Sequence, residues 1–272
     1  MTDTTTDSQV SGLGVVRDEP VLRLCLQRPE KRNSLSAKMI GRLIEEVEGA
    51  ALDEGIRAIV LTAEGEHFCA GADIVESNRE GRPKPAVGSI QRRLPLQAHR
   101  LIPAVLNTQK LVVCGVRGFA SGIGLHLALA ADFTIAAADA RFWEPFATRG
   151  FTVDSGGSWL IPRLVGIARA KRLLLLAEEI TGADAAAWGL IHDAVPDESL
   201  ESEVEALLQK LAAGPTVALG LTKWLLHRSQ EQNLEQSLAN EAFALELSSR
   251  GKDFREGFTA FREKRPPRFE GR

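Results

Sequence analysis

The chain has 272 residues, of which 44% are hydrophobic and 25% charged, and its formal net charge is −3. This balance is typical of a soluble globular protein of about one domain, and it gives no electrostatic reason to expect nucleic acid or an anionic membrane as a partner. Three widely spaced cysteines, Cys25, Cys69 and Cys114, show no metal-ligand or redox spacing. We therefore expect reduced thiols, no metal site and a cytoplasmic location.

The first part of the chain predicts a tail, a strand, a helix and a second strand. Residues 1–12 are rich in Thr and Ser and predict a disordered tail. Pro20–Gln27 alternates apolar and polar residues, as a half-buried strand does. From Ser36, a plausible N-cap, apolar residues recur every three or four positions and predict a helix. Ile56–Thr62 is rich in β-branched residues and predicts the next strand.

The middle of the chain alternates between helices and strands. The polar residues 76–90 predict a mobile loop, and Arg92–Asn107 predicts a helix. A strand and turn at Leu111–Gly118 precede an apolar helix at Ile123–Ala131 and a strand at Asp132–Ala138. Strands alternating with helices in this way favour an α/β fold with largely parallel strands. The most apolar window, Ile123–Ala138, is interrupted by His126 and Asp132 and is too short to predict a membrane span.

The last part of the chain predicts helices almost without interruption. Helical patterns follow Gly157, and the Gly214-Pro215 pair is a credible boundary. We therefore predict a core with the functional site at residues 13–213 and a helical region at residues 214–272 that assembles subunits.

Two glycine-containing turns are the main candidates for a functional site. The first is His67–Ile74, and the second is Gly118–Gly124, which opens a helix; each follows a strand. Glycine and small residues let backbone N–H groups approach a ligand, and a helix start adds a positive dipole end. Two such N–H groups aimed at one point form an oxyanion hole. For either turn alone, simple packing is the alternative interpretation.

Other common motifs do not explain these turns. A dinucleotide-binding interpretation of Gly122 and Gly124 fails because the third glycine position holds Leu127. The sequence also lacks a GxxxxGK[ST] phosphate-binding loop and a GxSxG nucleophile elbow.

Five segments in register resemble the crotonase (enoyl-CoA hydratase/isomerase) family. They are RPEKRNSL at 28–35, AGAD at 70–73, GFASGIG at 118–124, AAWGL at 186–190 and DFREGFTAFREKRPPRF at 253–269. The resemblance implies a crotonase-like spiral of repeated ββα units with a helical C-terminal region, assembled as a homotrimer or a dimer of trimers. It also implies an acyl-CoA thioester substrate, with coenzyme A as part of the substrate and no separate cofactor.

The same resemblance assigns site residues. The backbone N–H groups of Ala72 and Ile123 would be the oxyanion donors. Contacts to coenzyme A would come from the first turn and from basic side chains, for which a solvated basic loop is the alternative. These predicted coenzyme A contacts are Ala70, Ala72, Asp73, Ile74, Arg28, Lys31, Arg32 and Lys264.

The sequence departs from the family at the two glutamates that hydratases use. His126 and Phe146 occupy those positions, and a phenylalanine cannot transfer a proton. Asp154 lies in a VDSGGSW run similar to the PDSGG segment of the subgroup that shifts carbon–carbon double bonds, where the aspartate is the base. A helix N-cap is the alternative for Asp154. Glu144 is a further carboxylate two residues before Phe146, so on a strand the two side chains would face the same side.

The sequence leaves three functions open. The leading hypothesis is an enoyl-CoA isomerase of fatty-acid or aromatic acyl-CoA catabolism, with Asp154 as the base. The second is an enoyl-CoA hydratase in which His126 or Glu144 helps to add water. The third is a protein that binds acyl-CoA without catalysis.

Overall fold

The computed structural model describes residues 12–73 and 86–272. Within these ranges nine strands form two sheets. The strands are β1 (Leu13–Asp18), β2 (Val21–Leu26), β3 (Ala58–Ala63), β4 (Leu111–Val116), β5 (Phe119–Ser121), β6 (Phe133–Ala137), β7 (Arg141–Trp143), β8 (Ile180–Thr181) and β9 (Asp193–Val195). Most of the predicted tail (residues 1–11) and most of the predicted loop (residues 76–85) lie outside the described ranges.

Ten α-helices accompany the strands in the same described ranges. They are α1 (Ala37–Leu52), α2 (Ser89–Arg93), α3 (Leu101–Asn107), α4 (Ile123–Ala130), α5 (Gly157–Leu175), α6 (Gly182–Trp188), α7 (Leu200–Ala212), α8 (Thr216–Ser229), α9 (Leu234–Ser248) and α10 (Lys252–Glu263). Ser36 caps α1 as predicted, because its side-chain oxygen accepts a hydrogen bond from the Met39 amide.

The larger sheet has the order β1-β2-β3-β4-β6-β9, and the smaller sheet has the order β5-β7-β8. Among the described strands of the larger sheet, β1 and β2 are antiparallel and the other neighbouring pairs are parallel. Along the chain, β4 lies in the larger sheet, β5 lies in the smaller sheet, and α4 follows them. The elements β6, β7 and α5 repeat this order of strand, strand and helix. The predicted α/β fold with repeated ββα units is therefore confirmed.

The core lies on both faces of the larger sheet. All six residues of β4 are buried, as expected for a central parallel strand. One face of α1 contributes Met39, Leu43 and Val47, which are fully buried, and α7 packs on β3, β4 and β6. This packing fixes the ends of β3 and β4, from which the two glycine-containing turns emerge.

Several predicted elements differ from the structure. The helix predicted at Arg92–Asn107 is broken into α2, two short 3-10 turns and α3, and one of the turns contains Pro95. Proline removes a backbone donor and disfavours helix at the residue before it. The sequence reading also missed β1 and the short strands β5, β7, β8 and β9. Strands of two or three residues are too short for a periodic pattern to be visible.

The C-terminal helices carry an apolar surface that this single chain leaves exposed. α8 packs against α9, and the chain end returns to α10, where Asp253 accepts hydrogen bonds from the amides of Glu270 and Gly271. The large apolar side chains exposed on these helices are Val217, Leu226, Leu234, Leu238, Phe243, Leu245, Leu247, Phe254, Phe258 and Phe261.

Candidate active site

In the first glycine-containing turn, the Ala72 amide has no backbone partner among the described residues. Residues 69–72 pair on one side with β5, through Cys69 and Ala120, and on the other side with Leu35. The Leu35 amide donates to the Gly71 carbonyl at 2.8 Å. In a trans peptide the C=O and the following N–H point in opposite directions. The Ala72 N–H therefore points away from Leu35.

Glycine is required at this turn for two reasons. Gly71 has a φ of +99°, which side-chain-bearing residues rarely adopt. A Cβ atom added there would also lie 3.1 Å from the Ser121 carbonyl oxygen. The close approach places the first turn beside β5 and the start of α4.

The second turn presents the first amide of α4. Gly122 has a φ of +51°, its amide donates to the Trp143 carbonyl at 3.2 Å, and its carbonyl accepts from the His126 amide at 3.0 Å. The Ile123 N–H, on the opposite side of that peptide, points out of the helix start, where helix amides have no intrahelical acceptor. The positive end of the α4 dipole lies at the same place.

The two turns are in direct contact. The Ser121 amide donates to the Cys69 carbonyl, and a Cβ atom added at Gly124 would lie 2.6 Å from Cβ of Cys69. Burial raises the pKa of the Cys69 thiol to about 12, so this cysteine carries no thiolate near neutral pH. The two turns thus place the two predicted donor amides, those of Ala72 and Ile123, on adjacent backbone segments.

A cleft of about 630 Å³ opens beside the first turn. It brings together five of the eight predicted coenzyme A contacts: Lys31, Arg32, Ala70, Ala72 and Asp73. Sequence reasoning missed its other lining residues, Glu30, Ser34, Arg149 and Phe151. Arg149 and Phe151 follow β7, a strand too short to be recognised from its pattern.

Two further predicted coenzyme A contacts, Arg28 and Lys264, do not line this cleft. Arg28 is mostly buried, and its guanidinium holds Asp73 at 2.9 Å and the Ser34 carbonyl at 2.8 Å. Lys264 is exposed at the end of α10 and does not line the cleft. Ile74 lies outside the described residues.

A buried asparagine holds the basic loop in shape. Asn33 is fully buried; its side-chain oxygen accepts from the Arg28 amide, and its side-chain nitrogen donates to the carbonyls of Glu64 and His67. Both Arg32 and Asn33 have a positive φ. Three hydrogen bonds to a buried amide side chain offset that backbone strain. Sequence reasoning treated Asn33 only as one letter of a motif and missed this role.

Asp154 is half-buried and does not cap a helix. α5 begins at Gly157, its N-cap is Gly156 with a φ of +94°, and no side chain caps it. Among the described residues none hydrogen-bonds to the Asp154 carboxylate, whereas the Asp154 carbonyl accepts from the Gly157 amide. The N-cap alternative is therefore wrong, and the Asp154 carboxylate has no hydrogen-bond partner among the described residues.

The segment that carries Asp154 packs on α4. A Cβ atom added at Gly157 would lie 2.3 Å from Nε2 of His126 and 2.7 Å from Cγ2 of Val153. Glycine at 157 therefore allows residues 153–157 to lie against the first turn of α4, which begins at Ile123.

His126 and Glu144 form a fully buried pair. Nε2 of His126 lies 2.7 Å from Oε1 of Glu144, and their side chains are 0% and 1% exposed. The two atoms are close, yet no nitrogen or oxygen atom of either side chain has a well-aligned hydrogen-bond partner in the described part of the chain. The Phe146 ring lies parallel to the His126 ring, 6.3 Å between centroids.

Comparison with known proteins identifies the family. Residues 17–272 match the sequence family described as "Enoyl-CoA hydratase/isomerase". The chain belongs to the crotonase family. Within that family it is 37% identical to 1,2-epoxyphenylacetyl-CoA isomerase of Escherichia coli, over 94% of this chain and 97% of that protein. It is 34% identical to 2,3-dehydroadipyl-CoA hydratase of the same organism, over 97% of this chain and all of that protein.

Solved structures give the same answer for the fold. The crystal structure of an enoyl-CoA hydratase from Bacillus anthracis superposes with a TM-score of 0.88 at 29% identity, covering 96% of this chain and all of that chain. The predicted crotonase-like fold is confirmed, and so is membership of a family of acyl-CoA enzymes.

The described residues were predicted to hold no metal, and their helices also bear on membrane association. In residues 12–73 and 86–272 no three His, Cys, Asp or Glu side chains are grouped so that they could hold a metal ion. None of the described helices is long and apolar enough to cross a bilayer.

Proposed function

We propose that this crotonase-family protein is an enoyl-CoA isomerase that moves a carbon–carbon double bond within the acyl group of a coenzyme A thioester. The observation that carries the proposal is the half-buried Asp154 carboxylate, to which no described residue hydrogen-bonds, in the segment that Gly157 brings against His126 of α4. Phe146 stands at the position of the second hydratase glutamate, so the usual pair of water-activating carboxylates is missing.

In this proposal the two free amides act on the thioester oxygen. The N–H groups of Ala72 and Ile123 donate to that oxygen as negative charge develops on it. Each such donor contributes roughly 3–4 kcal/mol of transition-state stabilisation. Their backbone origin means that their position is set by the two glycine-containing turns and not by a side-chain rotamer.

Asp154 moves the proton. Its carboxylate removes a proton from the α or γ carbon, and the electron pair delocalises into the thioester enolate. The protonated Asp154 then returns a proton to the other carbon, which shifts the double bond and restores the carboxylate. A positioned general base contributes about 10²–10⁴-fold to such a step.

Coenzyme A itself would lie along the cleft. Lys31 and Arg32 are exposed on its rim, and both suit phosphate binding. Arg28 would act indirectly, by holding Asp73 and the loop. The exposed apolar surface of α8, α9 and α10 supports the predicted trimer or dimer of trimers. A cytoplasmic location stays a prediction.

A hydratase is the second candidate, and one observation favours it. His126 and Glu144 lie 2.7 Å apart, which is a separation that suits proton transfer between an imidazole and a carboxylate. In that mechanism the pair would activate water, and Asp154 would be dispensable.

Matched variants separate the candidates. We expect Asp154→Asn to lower the isomerisation rate of enoyl-CoA at least ~10²-fold while acyl-CoA binding persists. Asp139→Asn, a change of the same kind at an exposed site, is the control. If Glu144→Gln abolishes water addition and Asp154→Asn changes nothing, the hydratase is correct. If the protein binds acyl-CoA but turns over no enoyl-CoA, the hypothesis of an acyl-CoA-binding protein without catalysis is correct.

A further inference from the structure

Trp143 connects the second oxyanion turn to the neighbouring part of the fold. It is the last residue of β7, and in the pairing of β5 with β7 it lies opposite Ser121. Its carbonyl accepts a hydrogen bond from the Gly122 amide at 3.2 Å, one residue before the proposed donor Ile123. The proposed isomerisation uses the Ile123 amide and assigns no part to Trp143, although the two residues are joined through Gly122.

The direction of the Ile123 amide depends on how Gly122 is held. Glycine has no Cβ, so its backbone dihedrals are weakly restricted, and Gly122 adopts a φ of +51°. Its amide donates to the Trp143 carbonyl, and its carbonyl accepts from the His126 amide. The second of these bonds lies within α4 itself. The bond to Trp143 therefore relates the donor amide to the strand beside it.

The pairing that supports β7 on its other side ends before Trp143. β8 has two residues, which pair with Arg141 and Phe142 of β7. The residues after Trp143 are Glu144 and Pro145, and proline has no backbone N–H to continue a ladder. The Trp143 carbonyl thus lies at the end of a short strand, beyond the reach of the β8 pairing.

The indole side chain takes over where this pairing stops. Its Nε1–H donates to the Ala177 carbonyl at 3.0 Å, in the segment between α5 and β8. Ala177 is buried and has a φ of +50°, a left-handed conformation that residues with a Cβ adopt at a cost. Loss of the indole N–H would take this partner from a buried carbonyl, which is unfavourable. The bond therefore anchors the end of β7 to the segment that leads into β8.

Arg149 covers the same indole from the side of the cleft. Its guanidinium carbon lies 5.8 Å from the centroid of the Trp143 ring, within the range of a cation–π contact. Arg149 and Phe151 both line the cleft, and the same stretch of chain continues to Asp154. Residues 143–154 therefore carry the anchor of the second donor, a wall of the cleft and the proposed base.

We propose that Trp143 is a positioning residue, whose indole N–H bond to Ala177 holds the Ile123 amide in place for the thioester oxygen. The inference rests on the proposed function, because it concerns a donor of the same oxyanion hole. Trp143 acts through Gly122. Its loss should therefore weaken the hydrogen bond to the thioester oxygen more than it weakens the binding of coenzyme A.

Infrared spectroscopy tests the inference without relying on turnover. Trp143→Phe removes the indole N–H and keeps an aromatic ring beneath Arg149. The probe is butanoyl-CoA with ¹³C at the thioester carbonyl, a saturated compound in which no double bond can migrate. Hydrogen bonds to that carbonyl lower its stretching frequency. We expect the carbonyl band of the bound probe to shift in the variant towards its position in the free probe, while the dissociation constant stays close to that of wild type.

Kinetics on enoyl-CoA provide a second readout. Loss of one oxyanion donor costs about 10²–10³-fold in kcat, so we expect a displaced donor to cost about 10-fold or more, with little change in KM. Trp188→Phe is the matched control, because the Trp188 ring also lies beneath arginines, Arg169 and Arg172, and its indole N–H donates to none of the described residues. We expect this control to leave the carbonyl band, kcat and KM unchanged.

A second variant keeps the test available if Trp143→Phe does not fold. Trp143→benzothienylalanine replaces the indole N–H by a sulfur atom and keeps the shape of the ring, so the packing and the contact with Arg149 are retained. We expect the same shift of the carbonyl band and the same fall in kcat as in Trp143→Phe.

The outcomes separate the inference from the proposed function. If the benzothienylalanine variant binds the probe with the carbonyl band of wild type, the inference is overturned, whatever reaction the enzyme performs. Weaker binding of the probe with an unshifted band also overturns it, because Trp143 is then purely structural. A band that shifts in the variant, without double-bond migration by wild type in any enoyl-CoA, upholds the inference and removes the isomerase. If the band of wild type does not differ between free and bound probe, the oxyanion hole itself is refuted, and the inference with it.

Discussion

Gly124→Ala tests the contact that holds the two oxyanion turns together. Gly124 lies in the first turn of α4, where alanine is favoured over glycine by about 1 kcal/mol in helix propensity. The added Cβ atom, however, would lie 2.6 Å from Cβ and Sγ of Cys69 and 2.8 Å from the Cys69 carbonyl oxygen. Carbon atoms in contact are normally about 3.5–4.0 Å apart, so either α4 or residues 69–72 must move by roughly 1 Å.

That displacement sets the expected magnitude. Overpacking of this kind costs about 1–3 kcal/mol of stability, which the helix propensity of alanine partly offsets. A misplacement of about 1 Å between reacting groups costs on the order of 10²-fold in rate. We therefore expect Gly124→Ala to lower kcat/KM for enoyl-CoA isomerisation about 10²-fold, with the free energy of unfolding lowered by no more than about 2 kcal/mol.

The assay combines steady-state kinetics on enoyl-CoA substrates with urea unfolding. Gly41→Ala in α1 is the matched control, since no atom lies within 4 Å of a Cβ added at Gly41. We expect this control to keep its kcat/KM and to gain about 0.5–1 kcal/mol of stability. If Gly124→Ala behaves like the control in both measurements, the spacing between the turns does not determine the rate, and the reasoning is refuted.

Three further predictions concern stability and thiol reactivity. Lys223→Met leaves the mostly buried Asp132 without the cation that lies 2.8 Å from it, so we expect the free energy of unfolding in urea to fall by about 3–5 kcal/mol. The double variant Lys223→Met with Asp132→Leu should recover most of that loss. Equal losses in the two variants would contradict this. Burial lowers the pKa of His192 below its ordinary 6.5, so the contribution of this residue to stability is complete above pH 6.5 and declines as the pH falls through the lowered pKa. His192→Gln should therefore flatten the pH dependence of the thermal midpoint in that window. An unchanged slope would contradict this. Burial raises the pKa of Cys69 to about 12 and also raises the pKa of Cys114. A thiolate-specific reagent at neutral pH should therefore label both cysteines only after denaturation. Rapid labelling of either cysteine in the native protein would contradict this.

The longer elements of the fold were predictable from local pattern. The helix after Ser36 and the strands β2, β3, β4 and β6 have enough residues to show a period, and each lies within two residues of its predicted bounds. The three-residue strands β5 and β7 were not predictable, because their residues are fixed by pairing with Cys69 and β8 and not by their own spacing.

The site was predictable in part, for a similar reason. Glycines that adopt a positive φ mark the two turns in the sequence, but the assignment of the Ala72 and Ile123 amides as donors came from the family resemblance. The pairing of His126 with Glu144 could not, because it depends on how α4 lies against the segment after β7. The sequence also could not show that Asp154 does not cap α5, because this depends on Gly156 being the N-cap residue of that helix.

The central claim is that this protein moves a proton on an enoyl-CoA through an enolate. Its most direct test is NMR of a panel of enoyl-CoA substrates incubated with the protein in D₂O. The account predicts migration of the double bond with deuterium entering the α or γ carbon, and loss of both in Asp154→Asn. Formation of a hydroxyacyl-CoA from an enoyl-CoA, or unchanged spectra for every substrate that binds, would contradict it.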